Sequence, residues 1–406
     1  MKLKITNGTI ITPYRYIRKG TILVENGKII AVKEGDVDFP DAVIIDAGGK
    51  YIAPGFIDIH IHGGGGYDFM DGTQEAFLKI AELHARYGTT AMVPTTLTSE
   101  KEDLLKTLDI YESANKNNLK GSEFLGMHLE GPYFALSQRG AQDPRYIRNP
   151  DPAEYEEVLA YSSSIARWSA APELPGAIAF GKRLREKGIL AAVAHTDAIY
   201  EEVLEAYENG YTLATHLYSA MSGVTRKNAF RFAGTIESAF LLDMDVEIIA
   251  DGVHLPAPLL KLIYKIKGAD KTALITDAMR AAGMPEGESV LGPLKTGLKV
   301  IVEDGVAKLP DRTSFAGSVA TADRLVRTMI QIADVSLLDA VRMITVTPAR
   351  IMGVENRKGS LVTGKDADIV IFDENIKIDK TIIGGRIVYD AGLQLVTNNN
   401  STLNSK

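Results

Sequence analysis

Seven histidines are spread over the 406 residues, at positions 60, 62, 84, 128, 195, 216 and 254. Four of them, His60, His62, His195 and His216, stand with Glu130 and Asp277 as candidate ligands of one metal centre. Imidazole nitrogen and carboxylate oxygen suit zinc or ferrous iron, and manganese or cobalt is accepted by the same donors. The chain has no cysteine, which excludes thiolate sites and disulfides. His60 and His62 are two apart, so on a strand both project from one face and can share an ion. Glu130 carries two oxygens and can bridge two ions, while Asp277 can bind an ion and also stand beside its water. A divalent ion lowers the pKa of bound water from about 15.7 to about 7, which makes hydroxide available at neutral pH. One or two divalent ions are therefore expected. His84 falls in a helical pattern and is read as structural. His128, two residues before Glu130, is read as support for the ligands.

Positioning these groups requires strands. β-rich runs are expected at Gly55–His62, Thr89–Thr96, Phe124–Glu130, Ile165–Ala171, Ile189–His195, Thr212–Leu217, Val246–Asp251 and Thr272–Asp277. Helical stretches such as TQEAFLKIAELHARYG and APLLKLIYKIKG lie between most of them. Eight strands in alternation with helices predict an α/β chain with a (β/α)8 TIM-like barrel, and the nearly continuous apolar runs suit parallel strands covered on both faces. A doubly wound open sheet is the rival, weakened because no G-x-G-x-x-G follows the first strand. In the barrel reading, His60 and His62, Glu130, His195, His216, Asp251 and Asp277 all fall at C-terminal strand ends, where barrel enzymes place their chemistry. The flanks differ in style. Residues 1–53 read as short strands, with Asn26-Gly27 as a hairpin turn, and residues 358–398 repeat the pattern through LQLVT. A small β-sandwich domain built from both chain ends is expected, with 54–357 as the barrel and 399–406 as a flexible tail. Residues 284–313 form a Gly- and Pro-marked insertion, readable as a hairpin or a lid.

The balance of 45 basic against 52 acidic residues gives a net charge of −7. No overall basic field invites nucleic acid or an anionic membrane, so neither is an expected partner. An anionic small molecule would need a local cationic pocket. The N-terminal segment lacks an apolar signal core and no window reaches the length of a membrane span, so the expected location is the cytoplasm.

Several motifs carry a resemblance that covers nearly the whole chain. PGFIDIHIHG (54–63) resembles the first-strand metal motif of the amidohydrolase superfamily. HLEGPY (128–133), AHTDA (194–198), THLYSAMS (215–222), IADGVHLP (249–256), ITDAM (275–279) and SFAGSVATAD (314–323) resemble the N-acetylglucosamine-6-phosphate deacetylases within it. The resemblance implies hydrolysis of the acetamide of a phosphorylated amino sugar, releasing acetate. It implies one ion on Glu130, His195 and His216, a second on His60, His62, Glu130 and Asp277, and Asp277 as general base and then acid. It also implies a homodimer in which a neighbouring subunit completes the site. Candidate phosphate and sugar contacts are Arg226, Lys227, Arg231 and His254, the backbone at Ser219 and Ala220, Asp251, the segment holding Ala141 and Gln142, and Phe315, Ala316 and Gly317 of the later loop. This chain departs from the family pattern in having Ser219 for an asparagine and Gln142 for a histidine, and in the segment SGVTRKNAFRFAG. Those departures lie around the substrate, and they keep an epimer such as N-acetylgalactosamine 6-phosphate open. Two rivals are a different amidohydrolase reaction, on a cyclic amide or an acylamino acid, and a non-catalytic barrel.

Overall fold

A computed structural model describes residues 1–393. The tail 399–406 and all but the first residue of LQLVT lie outside the described residues.

Eight parallel strands run in chain order around a closed cylinder: Phe56–Ile61, Thr89–Pro94, Met127–Glu130, Ile165–Ala170, Leu190–Val193, Tyr211–Ala214, Asp245–Ile249 and Thr272–Ile275. Neighbours pair in parallel throughout, the second and third strands meeting through the Thr95–His128 bridge. The seam between the last and first strands is closed by two backbone hydrogen bonds, Asp277 N to His60 O at 2.9 Å and His62 N to Ala278 O at 2.9 Å. The fold is a TIM-like α/β barrel with a β-rich unit beside it.

Alternation along the first strand shows how the sequence makes both faces. All six residues of FIDIHI are buried. Ile57 and Ile59 join Val93, Ala273 and Ile275 against Ala349, which lies on the Val346–Ile351 helix. Asp58 and His60 point the other way, into a polar interior that also holds His128, Arg167, Ser169 and Glu247. The helices between strands carry ordinary start signals. Thr73 caps Gln74–Ala85 by accepting from Ala76 N, and Asp151 caps Pro152–Tyr161 by accepting from Ala153 N, with proline at the first helical position.

The strand ends differ from the sequence reading in a regular way. His195, His216, Asp251 and Asp277 each lie two residues beyond the last paired residue of their strand. The expected strand Phe124–Glu130 is interrupted at Gly126, whose φ is 109°. Glu123–Phe124 pairs with the second strand before the break, and Met127–Glu130 continues after it.

Segments from the amino-terminal and carboxy-terminal parts of the described residues enter one sheet. Its order is Arg386–Asp390, Ile378–Ile383, Ile369–Phe372, Tyr51–Pro54, Lys2–Ile11, Tyr16–Glu25 and Lys28–Glu34, with Val43–Asp46 also paired to Lys2–Ile11. The two ends join where Ile52 pairs with Ile371. Leu3, Ile5, Ile22, Val24, Ile52, Ile369 and Ile371 share one apolar core, so a single continuous sheet supplies the walls of the small domain. Asn26 and Gly27 both have positive φ, at 50° and 78°, as the two-residue hairpin turn requires. At the seam with the barrel, Lys358 sits among Glu123 (2.7 Å), Asp366 (3.5 Å) and Asp368, while Arg357 and Lys28 also pair with Asp366.

The 284–313 insertion is neither a lone hairpin nor a free lid. Gly287–Leu291, Leu298–Glu303, Val306–Lys308 and Phe315–Ser318 form a four-stranded antiparallel sheet over its own apolar cluster. Ser318 N donates to Asp277 O at 2.8 Å, fixing this sheet to the end of the eighth barrel strand. Among the described residues no helix is long and apolar enough to cross a membrane.

Candidate active site

The six proposed ligands converge at the C-terminal mouth of the barrel. Glu130, the last residue of the third strand, is the centre. Its Oε1 lies 3.1 Å from His216 Nε2, 3.3 Å from His60 Nε2 and 3.5 Å from His195 Nε2. Its Oε2 lies 3.4 Å from His62 Nε2. Asp277 Oδ1 is 3.1 Å from His62 Nε2 and 3.6 Å from His60 Nε2. The donors fall into two overlapping triads that share Glu130, one with His60 and His62 and one with His195 and His216.

These spacings fit a metal. Two ligands each about 2.05 Å from one tetrahedral ion lie about 3.3 Å apart, and the contacts to Glu130 run from 3.1 to 3.5 Å. The charges fit as well. Two carboxylates and four imidazoles are buried together, and burial alone would neutralise all of them. Burial pushes Glu130 up, but His60, His195 and His216 outweigh it and hold the carboxyl well below its usual range. Asp277 is likewise held low, by His60 and His62 against burial. In return, Glu130 and Asp277 raise His60 to about 9 and His62 to about 10, although burial opposes both. A cluster that holds protons this tightly is one that wants positive charge at its centre. The donor set is that of a zinc, iron, manganese or cobalt site, and two ions have ligands enough.

The backbone is strained where the ligands sit. His195, His216 and Asp277 have φ of 47°, 31° and 46°, a left-handed conformation uncommon for residues other than glycine. Strain of this kind clusters at functional sites, and here it turns three side chains off their strands toward one point. Orientation is also enforced from behind. His195 Nδ1 donates to Gln138 O at 2.8 Å, which leaves Nε2 for the centre. Beneath His60, the buried Arg167 pairs with Glu247 and donates to Ile59 O at 3.0 Å and Thr215 Oγ1 at 2.9 Å. Glu247 Oε2 is then 3.6 Å from His60 Nδ1. His128 meets the His60 ring edge-on, its centroid 4.7 Å away, and its Nε2 contacts Ser169 Oγ at 2.6 Å. Burial, reinforced by Arg167 and His60, holds the His128 pKa well below normal, which suits a neutral support. His84 is buried on its helix against Gly63 O. The Arg167–Glu247 pair was missed in the sequence, although an arginine and a glutamate inside apolar strand runs were its signal.

A cavity of about 480 Å³ opens over the metal cluster. Of the expected substrate contacts, Ala141, Gln142, Ser219, Ala220, His254, Phe315 and Gly317 line it. Gly317 has φ 74°, and a Cβ there would lie 3.1 Å from Asp277 O, so the loop needs glycine to pass this close to the end of the eighth strand. Ala316 is buried beneath its strand instead. Asp251 is behind the wall. It accepts from His254 Nδ1 at 2.7 Å and from two backbone amides, and so aims the His254 ring. Arg226, Lys227 and Arg231 do not line this chain's cavity. They occupy a two-stranded hairpin, Thr225–Lys227 with Phe230–Phe232, five of whose six strand residues are exposed. The cations that do line the cavity, Lys308 and Arg312, come from the inserted sheet and were not anticipated. Both are ion-paired, Lys308 with Asp304 at 2.6 Å and Arg312 with Glu303 at 2.8 Å.

The model of the amidohydrolase family matches residues 51–388. The N-acetylglucosamine-6-phosphate deacetylase of Lysinibacillus sphaericus is 34% identical over 95% of this chain and 98% of its own length. The N-acetylgalactosamine-6-phosphate deacetylase of Escherichia coli O157:H7 is 30% identical over 93% and 97%. Among solved structures, an aspartate-to-alanine variant of the Mycobacterium smegmatis N-acetyl-D-glucosamine-6-phosphate deacetylase, in complex with N-acetyl-D-glucosamine 6-phosphate, superposes with a TM-score of 0.88. It is 31% identical and covers 95% of this chain and 99% of that one. The chain belongs to the amidohydrolase family, whose members are hydrolases.

Proposed function

We propose that the protein is a metal-dependent deacetylase that hydrolyses the acetamide of N-acetyl-D-glucosamine 6-phosphate to glucosamine 6-phosphate and acetate. The observation that carries this reading is the convergence of four imidazoles on Glu130 beside Asp277 at the floor of a sugar-sized cavity, in a chain about one-third identical to such deacetylases. When bound, one or two divalent ions would polarise the acetyl carbonyl and lower the pKa of a water. Glu130, His195 and His216 would hold one, and His60, His62, Glu130 and Asp277 the other. Asp277, a carboxylate whose ordinary pKa lies well below neutrality, accepts the proton of the attacking water. It delivers that proton to the nitrogen as the C–N bond breaks. His254, with Nδ1 occupied by Asp251, offers Nε2 to the substrate.

The phosphate would meet two sources of positive charge. Lys308 and Arg312 lie in the cavity wall but are largely neutralised by Glu303 and Asp304. Arg226, Lys227 and Arg231 project from this subunit, and among the described residues none of the three is ion-paired. They would serve the cavity of a second copy in a homodimer, with Phe230, 74% exposed at the hairpin tip, packing at the interface. A cytoplasmic reaction fits this reading, because a sugar phosphate formed inside a cell is retained there by its charge.

Purified protein loaded with zinc, iron or manganese should release acetate from N-acetylglucosamine 6-phosphate, and much more slowly from the unphosphorylated sugar. Equal rates on both would sink the proposal in favour of another amide. The 4-epimer is the one alternative substrate with an observation behind it, the relative that acts on N-acetylgalactosamine 6-phosphate. Comparing kcat/KM for the two phosphates decides between them.

A further inference from the structure

Gln142 occupies a position where a substrate-facing histidine was expected, yet its amide is turned toward the metal cluster. Its Nε2 donates to Glu130 Oε2 at 2.8 Å, and its Oε1 accepts from Thr98 N at 2.9 Å. The side chain is buried. The Thr98 contact removes the usual ambiguity between amide oxygen and nitrogen: only oxygen can face the backbone N–H, so only the NH2 group can face the carboxylate.

The two Glu130 oxygens have different surroundings. Oε1 faces His216, His60 and His195, whereas Oε2 faces His62 and Gln142. A glutamate's terminal torsion is broad and nearly two-fold, so the covalent structure alone does not hold this division. A carboxylate oxygen has more than one lone-pair direction, and one of those on Oε2 is taken by the Gln142 N–H, leaving another for an ion.

We propose that Gln142 is a positioning residue for the second ion: by locking Glu130 Oε2 beside His62 it presents that oxygen to the site made with His62, Asp277 and His60, the last of which also borders Oε1, while Oε1 serves the His195–His216 site. The amide is neutral, so it steadies the carboxylate without competing with the ion for its charge. This rests on the metal-pair reading above but not on the identity of the sugar.

The test is zinc binding by metal-stripped protein, titrated against a chromophoric chelator, with cobalt absorption spectra as a second readout. Wild-type protein should take two ions. In Gln142→Leu, similar in size but without donors, the tighter constant should be unchanged and the weaker one should fall about 10–100-fold, the usual effect of losing an outer partner of a ligand. The cobalt bands of the second ion should shift. Gln142→Glu, which places an acceptor against Glu130, should lose the second ion more severely and serves if the leucine variant folds poorly. Gln142→His, which keeps a donor, should stay within a few-fold of wild type. Both constants unchanged in Gln142→Leu, or both reduced alike, would overturn the assignment. A wild-type chain that takes only one ion would overturn it together with the metal pair. Two ions with no acetate released would sink only the substrate reading.

Discussion

Among the described residues, two places gather three or more acidic or imidazole groups with their ligand atoms close together, and they are built to opposite ends. At the barrel mouth, Glu130 and Asp277 face four histidines and the neutral amide of Gln142. At the seam between barrel and β domain, Glu123, Asp366 and Asp368 surround Lys358, whose side chain is 1% exposed, with Arg357 and Lys28 alongside. Burying carboxylates is costly unless they are paired. The seam meets that cost with cations from the chain itself, and the result is a joint. At the mouth the carboxylates are held by protonated His60 and His62 until metal ions take the place of those protons, and the result is a site whose charge depends on what it binds.

The largest effect expected from testing this contrast is at Asp277. Asp277→Asn should lower kcat by roughly 10²–10⁴-fold, the range for general acid–base groups, while still binding metal. Robust turnover in that variant would remove the base from the mechanism. Next, Lys358→Met should destabilise the fold by about 3–5 kcal/mol, because it leaves buried carboxylates unpaired, yet leave zinc stoichiometry at the mouth untouched. Denaturant melts and metal analysis read the two halves of that claim, and a variant that melts like wild type would mean the seam is not a joint.

Acidity separates the regions further. In the metal-free protein His60 and His62 have pKa values raised from 6.5 to about 9 and about 10. Groups raised on folding stabilise fully below their unfolded pKa, and that contribution disappears as pH climbs through the folded values. Stripped protein should therefore lose thermal stability from about pH 7 to 10, and zinc-loaded protein much less. Zinc binding at pH 7 should also release protons, seen as a calorimetric heat that varies with the buffer, and release should vanish above about pH 10. Proton-free binding at pH 7 would contradict the raised histidines. The smallest effect expected is at the hairpin: Arg226→Ala with Arg231→Ala should raise KM about ten-fold with little change in kcat, and sedimentation should show a dimer in wild type. An unchanged KM would remove these arginines from phosphate binding.

The convergence of the six proposed ligands was legible because each ends or follows an apolar run of strand length, and barrel geometry gathers such positions whatever the loops do. Two things were hidden. The left-handed backbone at His195, His216 and Asp277 is imposed by tertiary context and leaves no mark on residue type. Lys308 lies on an inserted sheet whose short strands lack a strong period, and Arg312 in the loop between two of them, so nothing in the sequence aimed them at the cavity. Asp251 shows the limit of the strand-end rule: position brought it near the site, but its partner His254, three residues on, turned it into a support. In the SGVTRKNAFRFAG segment the three cations could be seen, but not that the hairpin carries them away from their own cavity.

The pairing of Ile52 with Ile371 has a consequence for biosynthesis. Ribosomes add about 5–20 residues per second, so the amino-terminal strands wait tens of seconds with an open edge before their partner emerges. Through that interval the nascent polypeptide offers a ready template for stray β-pairing, and chaperone demand should be concentrated there rather than after release.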